Sequence, residues 1–285
     1  MPDHRPRRSV LYMPGANERA LEKAKTLSAD ALILDLEDSV SPDAKEIGRT
    51  RVCAAVGEYG SREVAIRVNG LDTEWFADDM AAACAVGPDA IVVPKVNSAA
   101  DVHRVAAAMT AAPDRTEIWA MVETPAAMLS AYDIAAASPR LTVLVLGTND
   151  LAKELHAEHV PGRAPLLTSL SLALLGARAA AKSILDGVYN DVQDSDGFAA
   201  ECTQARQFGF DGKTLIHPSQ LAPCNDIFAP SAAEIAHAEK VIAAFEAAKA
   251  EGRGVATVDG KMIENLHVAN AHRILTVAAA IADRD

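Results

Sequence analysis

A (β/α)8 barrel of the TIM type with a C-terminal helical lid extension is the α/β fold this sequence predicts, on three observations. Eight short apolar runs recur along the chain: SVLYMPG, ALILDLED, EVAIRVN, AIVVPK, EIWAMVET, TVLVLGTND, SILDGVYN and KTLIHP. Stretches with helical spacing separate most of them, and apolar runs alternating with helices imply a parallel sheet buried on both faces. Nearly every run ends in a polar or ionisable residue, at the carboxyl ends of strands, where a barrel builds its active site.

The first strand, near residues 9–13, runs into Pro14-Gly15-Ala16-Asn17. Asn17 suits the N-cap of a helix reaching about residue 28, with Glu18 in its first turn. The second strand covers 31–36, and Ser41-Pro42-Asp43 after it reads as an N-cap with proline at the first helical position. The third, 63–69, meets Asn69-Gly70 before a helix near 74–86. The fourth, 90–93, stops at Pro94 and precedes a helix over 98–111. The fifth, 116–122, stops at Thr124-Pro125, with a helix over 125–137. The sixth, 141–146, ends at Gly147, and the longest connection follows: a polar segment 153–165, then a helix 166–182. The seventh, 183–188, and a helix at 196–208 lead to the eighth, 213–216. After Pro218 the pattern changes to an amphipathic helix 231–250, a Glu251-Gly252-Arg253-Gly254 hinge, and a last helix to about 282. The domains predicted are a catalytic barrel over 1–228 and a helical extension and lid over 229–285.

At 285 residues, half of them hydrophobic and 23% charged, the chain can bury one large core. Its apolar stretches break well short of the ~20 residues a membrane span needs, so no membrane partner is expected. A net charge of −12 argues against nucleic-acid binding, which needs a basic face. Cys53, Cys84, Cys202 and Cys224 form no C-x-x-C pair and read as free thiols of a cytoplasmic protein.

Glu123 closes the fifth strand and Asp150 lies just past the sixth. Neighbouring strand ends bring such carboxylates together, and two hard oxygen ligands with room for water and substrate describe a Mg²⁺ site. A salt bridge plus a helix cap explains the same two residues equally well. Asn149 adds a polar group beside them. Arg67, flanked by apolar residues on the third strand, must meet carboxylates or a ligand. Asp35, Glu37 and Asp38 are the obvious partners, and Lys95 joins the ring. Arg67 would serve substrate oxygens if the other acids hold a metal. His217-Pro218 lines the mouth at the eighth strand, while Asp186 and Asn190 at the seventh have no assigned work. No G-x-G-x-x-G, Walker loop, G-x-S-x-G or H-E-x-x-H is present.

These motifs in this order resemble the citrate lyase β-subunit-like CoA-ester lyases of the HpcH/HpaI aldolase superfamily. The residues that carry the likeness are RSVLYMPG, LDLEDSV, IRVNG, VPK, VET, LGTNDL, GKTLIHPSQ and GKMIENLHV, spread from end to end. The resemblance implies Mg²⁺, with Mn²⁺ as a substitute, held by Glu123 and Asp150. It implies an acyl-CoA substrate whose thioester or enolate oxygen meets Arg67, with Asn149, Glu123 and Asp150 around the acyl group. Tyr12, Lys23 and the Ile216-His217-Pro218 turn would lie against CoA, with Lys23 on a phosphate. It further implies a homotrimer or homohexamer in which the lid closes a neighbour's site. Two positions depart from the pattern: Asn17 stands where relatives can carry a basic CoA contact, and Glu264 stands where many of these lyases have an acid/base Asp. Glu-Asn-Leu-His, GTNDLAKEL and DGVYN look most like the malyl-CoA lyase and (3S)-malyl-CoA thioesterase branch.

The expected reaction is cleavage of a malyl- or citramalyl-type 3-hydroxyacyl-CoA to acetyl-CoA and a 2-oxo acid. Arg67, Glu123 and Glu264 are the expected catalytic residues. Hydrolysis of (3S)-malyl-CoA to malate and CoA is the alternative, and a citrate lyase β subunit working on an acyl-carrier protein a further one.

Overall fold

The computed structural model describes residues 5–284. They fall into two compact units, one of residues Arg7–Asn225 and one of residues 226–284 together with 5 and 6.

In the first unit eight parallel strands close into a barrel in sequence order. They are β1 (Ser9–Pro14), β2 (Ala31–Asp35), β3 (Glu63–Arg67), β4 (Ala90–Val93), β5 (Glu117–Val122), β6 (Leu141–Leu146), β7 (Ser183–Asp186) and β8 (Gly212–Leu215). The helices between them are α1 (Glu18–Ala24), α2 (Lys45–Ala55), α3 (Phe76–Val86), α4 (Ala99–Ala108), α5 (Pro125–Leu129), α6 (Ala131–Ala136), α7 (Thr148–Leu155), α8 (Leu167–Ala179) and α9 (Ser195–Phe208). A tenth, α10 (Leu221–Phe228), runs across the boundary between the units. The expected (β/α)8 barrel is thus the fold.

Local chemistry starts the helices where the sequence indicates. Asn17 accepts the Ala20 N–H at 3.1 Å, and Thr124, with Pro125 behind it, accepts that of Ala127 at 3.1 Å. Strands β2, β3 and β7 stop at Asp35, Arg67 and Asp186, earlier than their apolar runs. The ladder goes on slightly further, since Leu36 N–H still reaches the Arg67 carbonyl at 2.9 Å. The polar connection after β6 holds more structure than expected: α7 continues to Leu155, and Pro161–Leu166 make a 3-10 turn before α8.

Side chains alternate across each strand, and Val10, Ile33, Ala65, Val92, Trp119, Met121, Val145 and Leu185 share one buried interior cluster. Three alanines in it, Ala31, Ala65 and Ala90, leave room for the fully buried Trp119 indole. Below that ring, at the amino ends of the strands, Arg7 grips Glu63 through two bonds of 2.7 Å and lies 5.3 Å from the Trp119 ring.

The second unit packs α11 (Ala232–Ala250) and α12 (Asn265–Ala282) with a small hairpin, β9 (Ala256–Val258) and β10 (Lys261–Ile263), around Val241, Phe245, Val258, Ile263 and Val268. The hairpin is absent from the sequence reading. Asp259 and Gly260 turn it with φ of 48° and 76°, a conformation that Asp-Gly favours. Among the described residues no helix is long and apolar enough to cross a membrane.

Gly212 shows how tightly the barrel closes: a Cβ there would stand 1.8 Å from the Arg7 carbonyl oxygen. Gly212→Ala should therefore cost about 3 kcal/mol or more, read as a lowered urea midpoint at unchanged slope; an unchanged midpoint contradicts that packing.

Candidate functional site

Asp35 and Arg67 end neighbouring strands and are register partners. Each stands two residues past an interior residue, Ile33 or Ala65, so both side chains share the inner face of the barrel. Arg67 donates from Nε to Asp35 Oδ1 at 2.6 Å and from Nη2 to Oδ2 at 2.8 Å. Its Nη1 lies 2.7 Å from Glu37 Oε2, and its guanidinium carbon 4.8 Å from the centre of the Tyr12 ring. Desolvation works against both charges of the Arg67–Asp35 pair. Their mutual attraction outweighs it, holding Arg67 well above its ordinary pKa and Asp35 below. Tyr12, expected against CoA, supports Arg67 from below, with its hydroxyl 3.8 Å from Met121 Sδ.

Asp35 also folds the acidic turn that follows it, accepting the N–H of Glu37 at 2.9 Å and of Ser39 at 3.1 Å. From the other side the buried Lys45 ammonium donates to the carbonyls of Leu36 (2.8 Å) and Glu37 (2.7 Å) and to Asn69 Oδ1 (2.7 Å). The sequence reading missed Lys45; it sits in a helix and reaches back to a loop, a contact no local pattern reveals. Burial raises Glu37 to about 7, with Arg67 opposing and Asp38 adding to the rise.

Glu123 follows β5, is 2% exposed, and accepts the backbone N–H of Lys95 at 2.7 Å. Lys95 turns that N–H inward by adopting φ 54°, a left-handed conformation that costs a non-glycine residue about 1–3 kcal/mol. The Glu123 carboxylate lies flat against Gly147, where any Cβ would stand 2.0 Å from Oε2. Burial lifts Glu123 to about 7, with the nearby Asp150 charge pushing the same way. Desolvation opposes the Lys95 charge too, yet Asp150, Glu37 and Glu123 offset it and hold the ammonium above its usual value.

Asp150 stands in the first turn of α7, where Gly147 occupies the cap position, so Asp150 is not the cap. Beside it Asn149 exchanges amide hydrogen bonds with Asn190 at 3.1 and 2.8 Å. Asp186 takes a different direction. Leu185 points into the barrel, so Asp186 faces the helical layer, where Arg163 grips both its oxygens at 2.8 Å and the fully buried Lys213 adds a third bond of 2.8 Å.

Apart from Tyr12 and the half-buried Pro218, the residues expected on the CoA side lie on the surface. Lys23 is exposed in the last turn of α1, and Ile216 and His217 are exposed after β8. The His217 turn is rigid, because buried Gln220 accepts from the N–H groups of Ile216 and His217 and donates to the Tyr189 carbonyl at 3.0 Å. In the second unit Glu264 is exposed at the start of α12, and Met262 and Leu266 beside it are more than 60% exposed.

Five acids, Asp35, Glu37, Asp38, Glu123 and Asp150, thus meet two cations, Arg67 and Lys95, in one cluster of interacting charges. Asp35 and Glu37 take Arg67, whereas Glu123 is buried on a backbone N–H and feels Asp150 as a like charge. That excess fits a hard divalent cation. Among the described residues no three His, Cys, Asp or Glu side chains gather as ligands, so a cation here would complete its shell with oxygens from water or substrate.

The chain is similar to known proteins along nearly its whole length. The family profile described as HpcH/HpaI aldolase/citrate lyase matches residues 8–218, and one described as a C–C bond lyase of the TIM-barrel fold matches 172–281. A (3S)-malyl-CoA thioesterase from Cereibacter sphaeroides strain ATCC 17025 is 53% identical, over 97% of this chain and 96% of that protein. The citrate lyase subunit beta of Escherichia coli K12 is 37% identical, over 96% of this chain and 94% of that protein. The crystal structure of CitE from Mycobacterium tuberculosis with magnesium, acetoacetate and coenzyme A superposes with a TM-score of 0.80 at 27% identity, covering 97% of this chain and 100% of that one.

The raised pKa of Glu123 has a thermodynamic signature. Its folded value of about 7 lies above the ordinary 4.5, so the folded state holds this proton more tightly and stability falls as pH rises between the two. Metal-free Glu123→Gln should then be more stable than the parent at about pH 8, by on the order of 1–3 kcal/mol, with the difference gone below about pH 4.5. Equal thermal midpoints at the higher pH would contradict the burial of an ionised carboxylate there.

Proposed function

Because the chain belongs to the HpcH/HpaI aldolase/citrate lyase family, we propose that it is an enzyme acting on a small 3-hydroxyacyl-CoA, and that its reaction is hydrolysis of (3S)-malyl-CoA to malate and CoA. The observation that carries this reading is the 53% identity, along nearly the whole chain, to a thioesterase of that name. It moves hydrolysis ahead of the C–C cleavage that the motifs alone put first.

Arg67 Nη1 would take the thioester carbonyl oxygen, displacing Glu37 from that atom. Asp35 holds the other side of the guanidinium through two bonds, so the donor is in place before negative charge develops on the oxygen. Glu123 and Asp150 would hold Mg²⁺, with Mn²⁺ as a substitute; the bound ion would polarise the substrate's own oxygens. Asn149 would border the acyl group. Lys23 would meet a CoA phosphate, and Tyr12 with the Ile216-His217-Pro218 turn would border the CoA arm. Glu264, from the lid of a neighbouring subunit in the proposed assembly, would position the attacking water and take its proton, which the departing CoA thiolate would then recover. The M. tuberculosis complex with magnesium and coenzyme A supports both ligands as expectations for this chain.

Cleavage to acetyl-CoA and a 2-oxo acid is the second reading, supported by the family and by the citrate lyase subunit beta at 37% identity. The same residues serve it, with Glu264 giving a proton to the enolate carbon instead. Activity on a free CoA ester would leave no need for an acyl-carrier protein. A homotrimer or homohexamer in the cytoplasm is the assembly proposed.

Incubation with (S)-malyl-CoA and Mg²⁺, followed by chromatography, should yield malate and free CoA; acetyl-CoA with glyoxylate would replace hydrolysis by cleavage. Glu123→Ala and Asp150→Ala should each abolish Mg²⁺-dependent turnover, and full activity in either would remove the metal assignment. Arg67→Lys, which keeps the charge but loses the fork, should lower kcat roughly 10²-fold or more. Glu264→Ala should lower kcat while leaving CoA affinity unchanged, and parental turnover would end its proposed role.

A further inference from the structure

We propose that Asn149 and Asn190 form an amide clasp that positions the Asp150 carboxylate for its divalent cation. The proposal rests on the assignment of Glu123 and Asp150 to a metal. It also gives work to the loop after β7, which the reaction outlined above leaves unused.

The turn that carries Asp150 is wedged between its neighbours. On the β5 side, Gly147 lies against the Glu123 carboxylate, with 2.0 Å between its hypothetical Cβ and Oε2. On the β7 side, Thr148 lies against Gly187, where a Cβ would stand 2.5 Å from its Oγ1 and 2.7 Å from its Cγ2. One residue further, Asn149 Nδ2 donates to Asn190 Oδ1 at 3.1 Å and Asn190 Nδ2 donates back to Asn149 Oδ1 at 2.8 Å. A single bond between exposed amides would let each rotate, whereas the exchange of two sets both planes. Asp150 is the next residue in the chain.

Asn190 can act as a fixed post because its loop is held before and after it. Asp186, four residues earlier, is gripped by Arg163 and Lys213. Tyr189 accepts from Gln220 at its carbonyl, and its hydroxyl donates to Asp194 at 2.6 Å. Arg163 returns from the connection that follows α7. The α7 segment is therefore tied to the end of β7 at both ends, by Asn149 at its start and by Arg163 beyond its finish. Neither asparagine carries charge, so the pair adds nothing to the attraction for a cation. Its effect lies in geometry: a small divalent ion tolerates only a narrow range of ligand positions. Asn149 and Asn190 are positioning residues on this account.

Titration calorimetry with Mg²⁺ alone, on the full chain without substrate, tests the clasp. Asn190→Ala and Asn149→Ala should each weaken Mg²⁺ binding roughly tenfold, and the double variant should bind no more weakly than the weaker single. Melting temperatures in EDTA should stay within about 2 °C of the parent. Parental Mg²⁺ affinity in Asn190→Ala, or additive losses in the double variant, overturns the clasp. Lower melting temperatures with unchanged affinity also overturn it and make the pair a stability element. If Asn190→Ala folds poorly, Asn149→Ala asks the same question from the other side. Asp150→Ala separates the two levels. Should it bind Mg²⁺ as the parent does, the metal assignment falls and the clasp with it; should it alone lose binding, only the clasp falls.

Discussion

The buried pair of Arg67 and Asp35 is the interaction on which the rest of the mouth depends. A guanidinium on the inner face of the barrel keeps its charge and is costly to bury without a partner, and removing one member of such a pair leaves the other uncompensated, at about 3–5 kcal/mol. Asp35 does more than neutralise it. The same carboxylate accepts two backbone N–H groups of the turn that follows, so the acidic loop takes its shape from the ion pair. Arg7 and Glu63 make a corresponding pair at the opposite end of the strands. The interior apolar cluster lies between two clamps of ionic bonds, and Trp119 fills the space that the alanines of β2, β3 and β4 leave.

Direction sorts the charged residues of the strand ends into two groups. Asp35, Arg67 and Glu123 continue the inward parity of their strands and meet in the mouth. Asp186 has the opposite parity and joins Arg163, Lys213 and Glu201 under the helices, where Lys213 contacts both acids and is fully buried. The inward group carries an excess of negative charge; the outward one balances two acids with two cations. Charge therefore separates the two networks: the outward one is balanced, whereas the inward one keeps negative charge to spare.

Much of this was legible in the amino-acid sequence, for a physical reason. A parallel strand buried on both faces needs a continuous apolar run, so eight strands announce themselves, and the polar residues that end the runs mark the mouth. Glu123, Asp150 and Arg67 are visible on those grounds. The parity of Asp186 was not, because a run apolar on both faces hides which face is inward. Lys45 stayed hidden because two of its acceptors are backbone carbonyls, which no residue type marks, and the third lies 24 residues away. The hairpin of β9 and β10 did have a signal, the Asp259-Gly260 pair, which is overshadowed by the glycine-rich Glu251-Gly252-Arg253-Gly254 stretch just before it. The outcome of the proposed reaction was least legible, since hydrolysis and C–C cleavage would draw on one set of side chains.

The contact between Gly147 and Glu123 makes two positions behave as one. The space that a side chain would need at 147 is filled both by the Glu123 carboxylate and by the Cβ that carries it. A shorter acid at 123 would withdraw the carboxylate but keep its Cβ, which stands 2.5 Å from where a methyl carbon at 147 would lie, so even alanine there would force the backbone to shift. Glycine at 147 is therefore required by any side chain at 123, whatever its length, and a change at 123 alone cannot release it.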